Sequence, residues 1–172
     1  MAFGGLDWAA CELLGGNAEL ALEYATESLT YARAAGNTAL TNFCLFNISE
    51  FLLSLAHYEA AEEYVRETLT IASDQGAEGV ALLALQRLVL ITALRLLSVP
   101  QDVPMDLVKA ARILGFLSLR VSTAEASIGL KKEYHRAHDL LQEAMGGETL
   151  KKLMSEGAAL TTDQVVHHLA LS

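Results

Sequence analysis

Two stretches decide the fold: DWAACELLGGNAELALEYATESLTYA, residues 7–32, and NISEFLLSLAHYEAAEEYVRETLTIA, residues 47–72. They align without a gap at an offset of forty residues, and each predicts a pair of amphipathic helices around a short turn. In the second helix of each pair the apolar or small residues coincide, at Ala18/Tyr58, Ala21/Ala61, Ala25/Val65, Ser28/Thr68, Leu29/Leu69 and Ala32/Ala72. Because a single helical hairpin cannot bury its apolar face alone, the repetition indicates hairpins stacked on one another.

The remaining sequence extends this pattern. We expect one folding unit with hairpins at about residues 1–37, 38–77 and 78–122 and a C-terminal helical cap over residues 123–172. Both prolines lie between residues 98 and 104, and this segment predicts a loop that delays the last helix of the third hairpin. That helix repeats the small-residue pattern at an offset of fifty, with Val108, Ala111, Gly115, Ser118 and Leu119. The predicted fold class is all-α, an α-α superhelix of helical hairpins.

Composition and charge narrow the class of function. Hydrophobic residues make up 52% of the chain, and the β-branched runs typical of strands are missing. The formal net charge is −9, so the basic surface that neutralises phosphates in nucleic-acid binding is lacking over most of the molecule. We therefore expect no direct contact with nucleic acid.

The longest apolar stretch, Val80–Val99, has the length of a membrane span. It is interrupted by Gln86, Arg87, Thr92 and Arg95. Because a charge at the centre of a membrane helix costs about 2.5–3.5 kcal/mol on insertion scales, we interpret the stretch as a core helix. The first residues resemble no secretory signal, and Cys11 and Cys44 lie in apolar helices, as reduced thiols do. We expect a cytoplasmic protein without membrane contact.

The segment Asn47–Ala61 resembles the tetratricopeptide repeat, with an apolar-small pair, an aromatic residue at the corner and an alanine three residues later. A period of forty is longer than the roughly 34 residues of that family and overlaps HEAT and armadillo repeats at about 40–47, but the residues favour the tetratricopeptide pattern. The longer period is similar to repeats in large bacterial ATPase and LuxR-type transcriptional regulators. The features that resemble the tail of those arrays are Ala110–Gly115, Tyr134, Leu141, Glu156-Gly157, Leu160-Thr161 and Asp163–Val166.

The resemblance implies that the chain is the C-terminal part of a larger regulator or a free-standing relative. Met154 departs from the pattern, since the family tail usually has an aromatic residue near that position. The sequence has no glycine-rich phosphate loop followed by Lys-Ser/Thr, so an ATPase activity would have to reside outside it.

The resemblance also implies a groove, because the first helices of tetratricopeptide hairpins line a concave face. The positions that carry over as partner-binding candidates are Phe43, Phe46, Glu50, Gln86 and Leu90. A mostly apolar lining with a few polar side chains is typical of a site for a peptide helix or a ligand. The alternative, equally favoured, is that some of these residues pack against neighbouring helices.

Other clusters have simpler interpretations. His135 and His138, near Glu133 and Asp139, have metal-ligand spacing on a helix, but three basic residues crowd the same stretch, so we expect no metal and no cofactor. Three further groups are interpreted as structural. We interpret the pair His167-His168 as a solvent-exposed helix end and the run Glu59, Glu62, Glu63 and Glu67 as the solvent-exposed face of a helix. Leu160–Asp163 resembles the start of a DNA-reading helix-turn-helix, but no Lys or Arg follows it to contact phosphates, so we do not interpret it as one.

The functional hypothesis is a non-catalytic protein-protein interaction or sensor module. No nucleophile, base and orienting group form a recognisable motif, so we do not expect an enzyme. The expected partner is a protein or peptide segment, a second copy of the chain or a small effector. The alternative is a structural spacer that forms the dimerisation end of a larger regulator and has no ligand of its own.

Overall fold

The computed structural model of the chain describes residues 17–96, 104–121 and 128–171. These residues form helices in sequential hairpins, and no strand occurs among them. Their bounds are α1 Ala18–Ala34, α2 Thr38–Ser54, α3 Tyr58–Asp74, α4 Glu78–Leu96, α5 Met105–Val121, α6 Ile128–Met145, α7 Gly147–Ala158 and α8 Thr162–Val165, which continues as a π-helical turn over Val166–Ala170. The predicted all-α class is confirmed. The first helix of the hairpin predicted at about residues 1–37 lies outside the described residues.

The chain divides into two compact units, Met1–Gly76 and Ala77–Ser172. In the first unit, α2 packs against both α1 and α3. Of the six pairs that coincide at the offset of forty, Ala18/Tyr58 is half-buried. The other five face the interior in both helices, at Ala21, Ala25, Ser28, Leu29 and Ala32 of α1 and at Ala61, Val65, Thr68, Leu69 and Ala72 of α3. Every one of them is at most 3% exposed, so the repeat register found in the sequence is the register of burial. The predicted grouping of all segments into one folding unit stays a prediction.

Local signals set the ends of these helices. The Asn37 side chain accepts a hydrogen bond from the backbone N–H of Leu40 and caps α2, while its own N–H donates to the carbonyl of Ala32. Gly36 lies between them with a φ of 62°, the left-handed conformation that closes a helix C-terminus at little cost only in glycine. One short sequence, Gly36-Asn37, therefore ends α1 and begins α2.

The second unit is built around α5, which contacts α4, α6 and α7. Two glycines make its crossing with α7 close. A methyl group on Gly115 would lie 2.5 Å from the Cα atom of Met154, and one on Gly157 would lie 2.6 Å from the carbonyl carbon of Arg112. Because the two glycines are on opposite helices and each meets the other helix's backbone, the helices touch without intervening side chains.

This crossing corrects one sequence expectation. The offset of fifty placed Leu119 with the buried Leu29 and Leu69, but Leu119 is 61% exposed. Ala111 and Gly115 of the predicted pattern are buried, and Val108 and Ser118 are half-buried. Leu107, Ala110, Ile113, Leu114 and Leu117 are buried as well, so the buried side of α5 is wider than the predicted one and displaced from it. The physical reason is that α5 packs across α7 as well as beside α4.

Helix α4 is the one described helix long and apolar enough to cross a membrane, with a mean hydropathy of 1.7 over its most apolar window. However, 61% of that window is buried inside the protein. Burial of this extent is what the core helix of a folded domain shows. Arg87, near the centre of α4, is 3% exposed and forms an ion pair with Glu133 of α6.

Candidate functional site

The exposed side of α2 carries three of the five predicted partner-binding residues. Phe43, Phe46 and Glu50 are spaced by three and four residues, so they lie on one side of the helix. Phe43 is 54% exposed, Phe46 is half-buried and Glu50 is exposed. We call this surface the α2 face. An aromatic ring left mostly in water is unusual in a helix that buries most of its other large apolar residues.

The sequence of α2 produces this arrangement by separating two sides. Cys44, Leu45 and Ile48 are completely buried and anchor the helix against its neighbours. They lie opposite the α2 face, so the helix cannot rotate to bury Phe43 without exposing them. Burial also raises the pKa of the Cys44 thiol to about 11. Burial therefore disfavours the thiolate, which is the form that reacts as a nucleophile.

The other two predicted residues lie on α4 in the second unit. Gln86 is 0% exposed and Leu90 is 1% exposed, and both belong to the continuous buried run Ala84–Ala93. The structure thus brings Phe43, Phe46 and Glu50 together on one helix. It places the other two residues on a buried part of α4. The proposed binding role of the five residues stays a prediction, with the accessible surface contributed by α2.

The histidine cluster of α6 has partners other than a metal. Glu133 accepts hydrogen bonds from Arg87, at 2.7 Å from Nη2 and 3.4 Å from Nε. The ring of His135 stands edge-on to Tyr134 with 5.7 Å between centroids, and burial raises the pKa of that tyrosine. Within the described residues no group of three or more His, Cys, Asp and Glu could hold a metal ion. The Arg87–Glu133 pair explains why this acidic side chain lies within a basic stretch.

The acidic residues of α3 lie on a helix surface whose negative charge is partly neutralised by arginine side chains. Glu62 is paired with Arg66 at 2.9 Å, one helical turn away, and Glu67 is paired with Arg33 of α1. Glu59 and Glu63 are exposed to solvent. Pairs of this kind contribute about 0–1 kcal/mol each and mark a solvated face rather than a paired-carboxylate site.

A cavity in the second unit was not found from the sequence. It has a volume of about 450 Å³ and is lined by Arg112, Glu156, Leu160, Gln164, His168 and Leu169. We call it the α5–α7 cavity, since Arg112 and Glu156 come from those two helices. A smaller cavity of about 380 Å³ lies between α6 and α7. Arg112 and Glu156, which form the charged wall of the first cavity, are separated by 44 positions in the sequence. The helical periodicity of the sequence does not predict that these two residues meet.

The segment Leu160–Asp163, which resembles the start of a helix-turn-helix, contains the N-terminal cap of a helix. Thr161 accepts a hydrogen bond from the N–H of Gln164, and the Gln164 side chain accepts one from the N–H of Thr161. This capping box begins the short α8. His167 and His168 follow in the π-helical turn, and both are exposed.

No protein-family model, curated protein or solved structure matches this chain. The class of protein is therefore defined by the fold itself, an all-α protein of sequential helical hairpins.

Proposed function

We propose that the chain is a non-catalytic protein-interaction module that binds a peptide or protein segment against the α2 face. The observation that carries this proposal is Phe43, which is 54% exposed at the centre of a helix whose opposite side is fully buried. Burying a phenylalanine ring contributes about 1.5–3 kcal/mol, and aromatic residues including phenylalanine are enriched at the cores of interfaces. Phe46 extends the apolar surface, and Glu50 offers a charge at its edge.

The tetratricopeptide resemblance supports the same function, since repeat arrays of that type present the first helices of their hairpins to partners. On this basis we place the chain in a cytoplasmic signalling or transcriptional regulator of bacterial origin, as its sensor or adaptor part. The regulator's catalytic and DNA-reading functions would lie in other sequence.

The test begins with peptides selected on the immobilised chain from a random display library, which requires no knowledge of the natural partner. Affinities of the selected peptides are then measured by fluorescence anisotropy for the wild type, Phe43→Ala and Tyr31→Ala. Tyr31 is the matched control, because it is an aromatic residue of similar exposure, 46%, on α1. Both substitutions remove exposed side chains and should leave the thermal melt nearly unchanged.

We expect Phe43→Ala to weaken binding at least about tenfold, as removal of an anchor residue does, and Tyr31→Ala to leave it unchanged. Peptides that bind both variants equally well would show that the α2 face is not the site. Light scattering on the wild type addresses the alternative function. A concentration-dependent dimer that Phe43→Ala abolishes would assign the face to self-association instead of a separate partner.

A further inference from the structure

The α5–α7 cavity has one charged wall that the helix crossing holds in place. Gly157 contacts the backbone of Arg112, and Gly115 contacts the backbone of Met154, so the two helices are fixed at these points. Glu156 directly precedes Gly157 in the sequence. The positions of Arg112 and Glu156 are therefore set by backbone contact, which lowers the entropic cost of using them to bind a ligand.

The ion pair leaves one donor group and one acceptor atom for other use. Arg112 donates from Nε at 3.0 Å and from Nη2 at 2.8 Å, and both hydrogen bonds go to the same oxygen, Oε2 of Glu156. Neither Nη1 of Arg112 nor Oε1 of Glu156 has a hydrogen-bond partner among the described residues. The side chains are 36% and 40% exposed, so the ion pair is partly in contact with solvent.

The rest of the cavity is suited to a small amphipathic molecule. Leu160 and Leu169 provide apolar contact beside the charged wall. The π-helical turn Val166–Ala170 shapes the same region, closed by a hydrogen bond of 2.9 Å from the N–H of Leu171 to the carbonyl of Val166. Single π-helical turns are frequent at functional sites because they displace side chains from the regular helical positions. A volume of about 450 Å³ is within the range of small-molecule sites.

The charge of the wall selects the class of ligand. Arg112 and Glu156 together carry no net charge, so an anion or a cation would meet one attractive and one repulsive group. A zwitterion can satisfy both, with its anionic group at the guanidinium and its cationic group at the carboxylate. We propose that the α5–α7 cavity binds a free α-amino acid with an apolar side chain. Its carboxylate accepts from Arg112, its ammonium group donates to Glu156, and its side chain lies against Leu160 and Leu169.

This inference is independent of the α2 face, and the two can fail separately. The first experiment is calorimetric titration of the full chain with L-leucine, isocaproate and isoamylamine. Isocaproate lacks the ammonium group of leucine, and isoamylamine lacks its carboxylate. We expect saturable one-to-one binding of L-leucine and at least about tenfold weaker binding of both analogues, because each leaves one charged group unpaired.

The second experiment compares Glu156→Gln with Glu67→Gln. Glu67 is a matched control, because it forms an exposed ion pair with Arg33 in the first unit, with a side-chain exposure of 41% against 40% for Glu156. Both substitutions keep the size of the side chain and remove its charge. We expect Glu156→Gln to weaken L-leucine binding at least about tenfold and Glu67→Gln to leave it unchanged, with both variants retaining the helical circular dichroism of the wild type.

Three results would overturn the proposal. The first is the absence of saturable heat with L-leucine, isoleucine, valine, methionine and phenylalanine at millimolar concentrations. The second is isocaproate binding as tightly as L-leucine, which would define an anion site. The third is equal L-leucine affinity for the wild type and Glu156→Gln. If Glu156→Gln does not fold, chemical shifts of the wild type decide, since changes induced by L-leucine must be confined to α5, α7 and the turn after α8.

Discussion

Replacing Gly157 with alanine tests the close contact between α5 and α7. The added methyl group would lie 2.6 Å from the carbonyl carbon of Arg112 and nearer still to its oxygen. Distances below 3.0 Å are essentially never seen for real Cβ atoms. The obstacle is backbone rather than a flexible side chain, so a rotamer change cannot relieve it. The two helices must separate, and the contact of Gly115 with Met154 on the same crossing must be loosened with them.

The expected loss of stability follows from two opposing effects. Overpacking of a well-filled interior costs about 1–3 kcal/mol, and a clash with backbone belongs at the upper end of that range. Alanine offsets about 0.5–1 kcal/mol of this cost, because it loses less conformational freedom than glycine in a helix. We therefore expect Gly157→Ala to lower the free energy of unfolding by about 2 kcal/mol. For a chain of this length that corresponds to a decrease in Tm of about 4–8 °C.

The measurement is thermal and urea unfolding followed by circular dichroism. Gly79→Ala is the matched control, because Gly79 lies within α4 and a methyl group there has no atom within 4 Å. That variant should be unchanged or slightly more stable, by up to about 1 kcal/mol, through helix propensity alone. If Gly157→Ala is as stable as Gly79→Ala, the two helices do not touch at this point and the crossing that positions Arg112 and Glu156 is wrong.

Three further predictions concern single residues. Ala56 has a φ of 58°, so Ala56→Gly should raise the free energy of unfolding by about 0.5–1 kcal/mol in urea unfolding, the net of relieved strain and added glycine entropy. Glu133→Gln should lower it by about 2–4 kcal/mol because it removes the carboxylate charge that pairs with the buried Arg87, whereas Glu67→Gln in an exposed pair should cost less than about 1 kcal/mol. Burial raises the pKa of Cys44 from 9.0 to about 11, so the folded state favours the protonated thiol. The stability that this preference adds to the folded state is fully present below about pH 9 and is lost as pH rises through 11. The difference in unfolding free energy between wild type and Cys44→Ala should therefore decrease over that interval, and a constant difference would contradict the burial of the thiol.

The helices of the first unit were accessible to sequence reasoning because their determinants are local. The Gly36-Asn37 pair contains both the stop of α1 and the cap of α2, and the offset of forty identifies the buried side of α3 from that of α1. Thr161 and Gln164 give the start of α8 in the same way. In each of these caps the atoms that interact are within five residues of one another, and the offset of forty compares the same residue pattern in two helices, so the residue types are sufficient.

The face that α5 buries depends on a different kind of information. Leu119 follows the same local pattern as Leu69, and yet it is exposed, because α7 occupies another side of its helix. The sequence between residues 147 and 158 reads only as a short amphipathic helix. Nothing in its periodicity states which earlier helix it will cross. The same limit applies to Gln86, whose residue type suits an open groove as well as it suits the buried run of α4 in which it lies.

The candidate sites divide along the same line. The tetratricopeptide resemblance suggests Phe43, Phe46 and Glu50 as partner-binding candidates, and their spacing on one helix places the three residues side by side. The α5–α7 cavity could not be predicted, since Arg112 and Glu156 are 44 residues apart and meet only because Gly157 admits the backbone of α5. The glycine that permits the crossing is the immediate neighbour of the glutamate that forms the pair. A glycine within a helix lowers its stability, so Gly157 could raise the expectation of a close approach, but Gly79 also follows a glutamate within a helix and has no atom within 4 Å of an added methyl group. The residue pattern therefore does not distinguish a glycine at a crossing from one that faces open space.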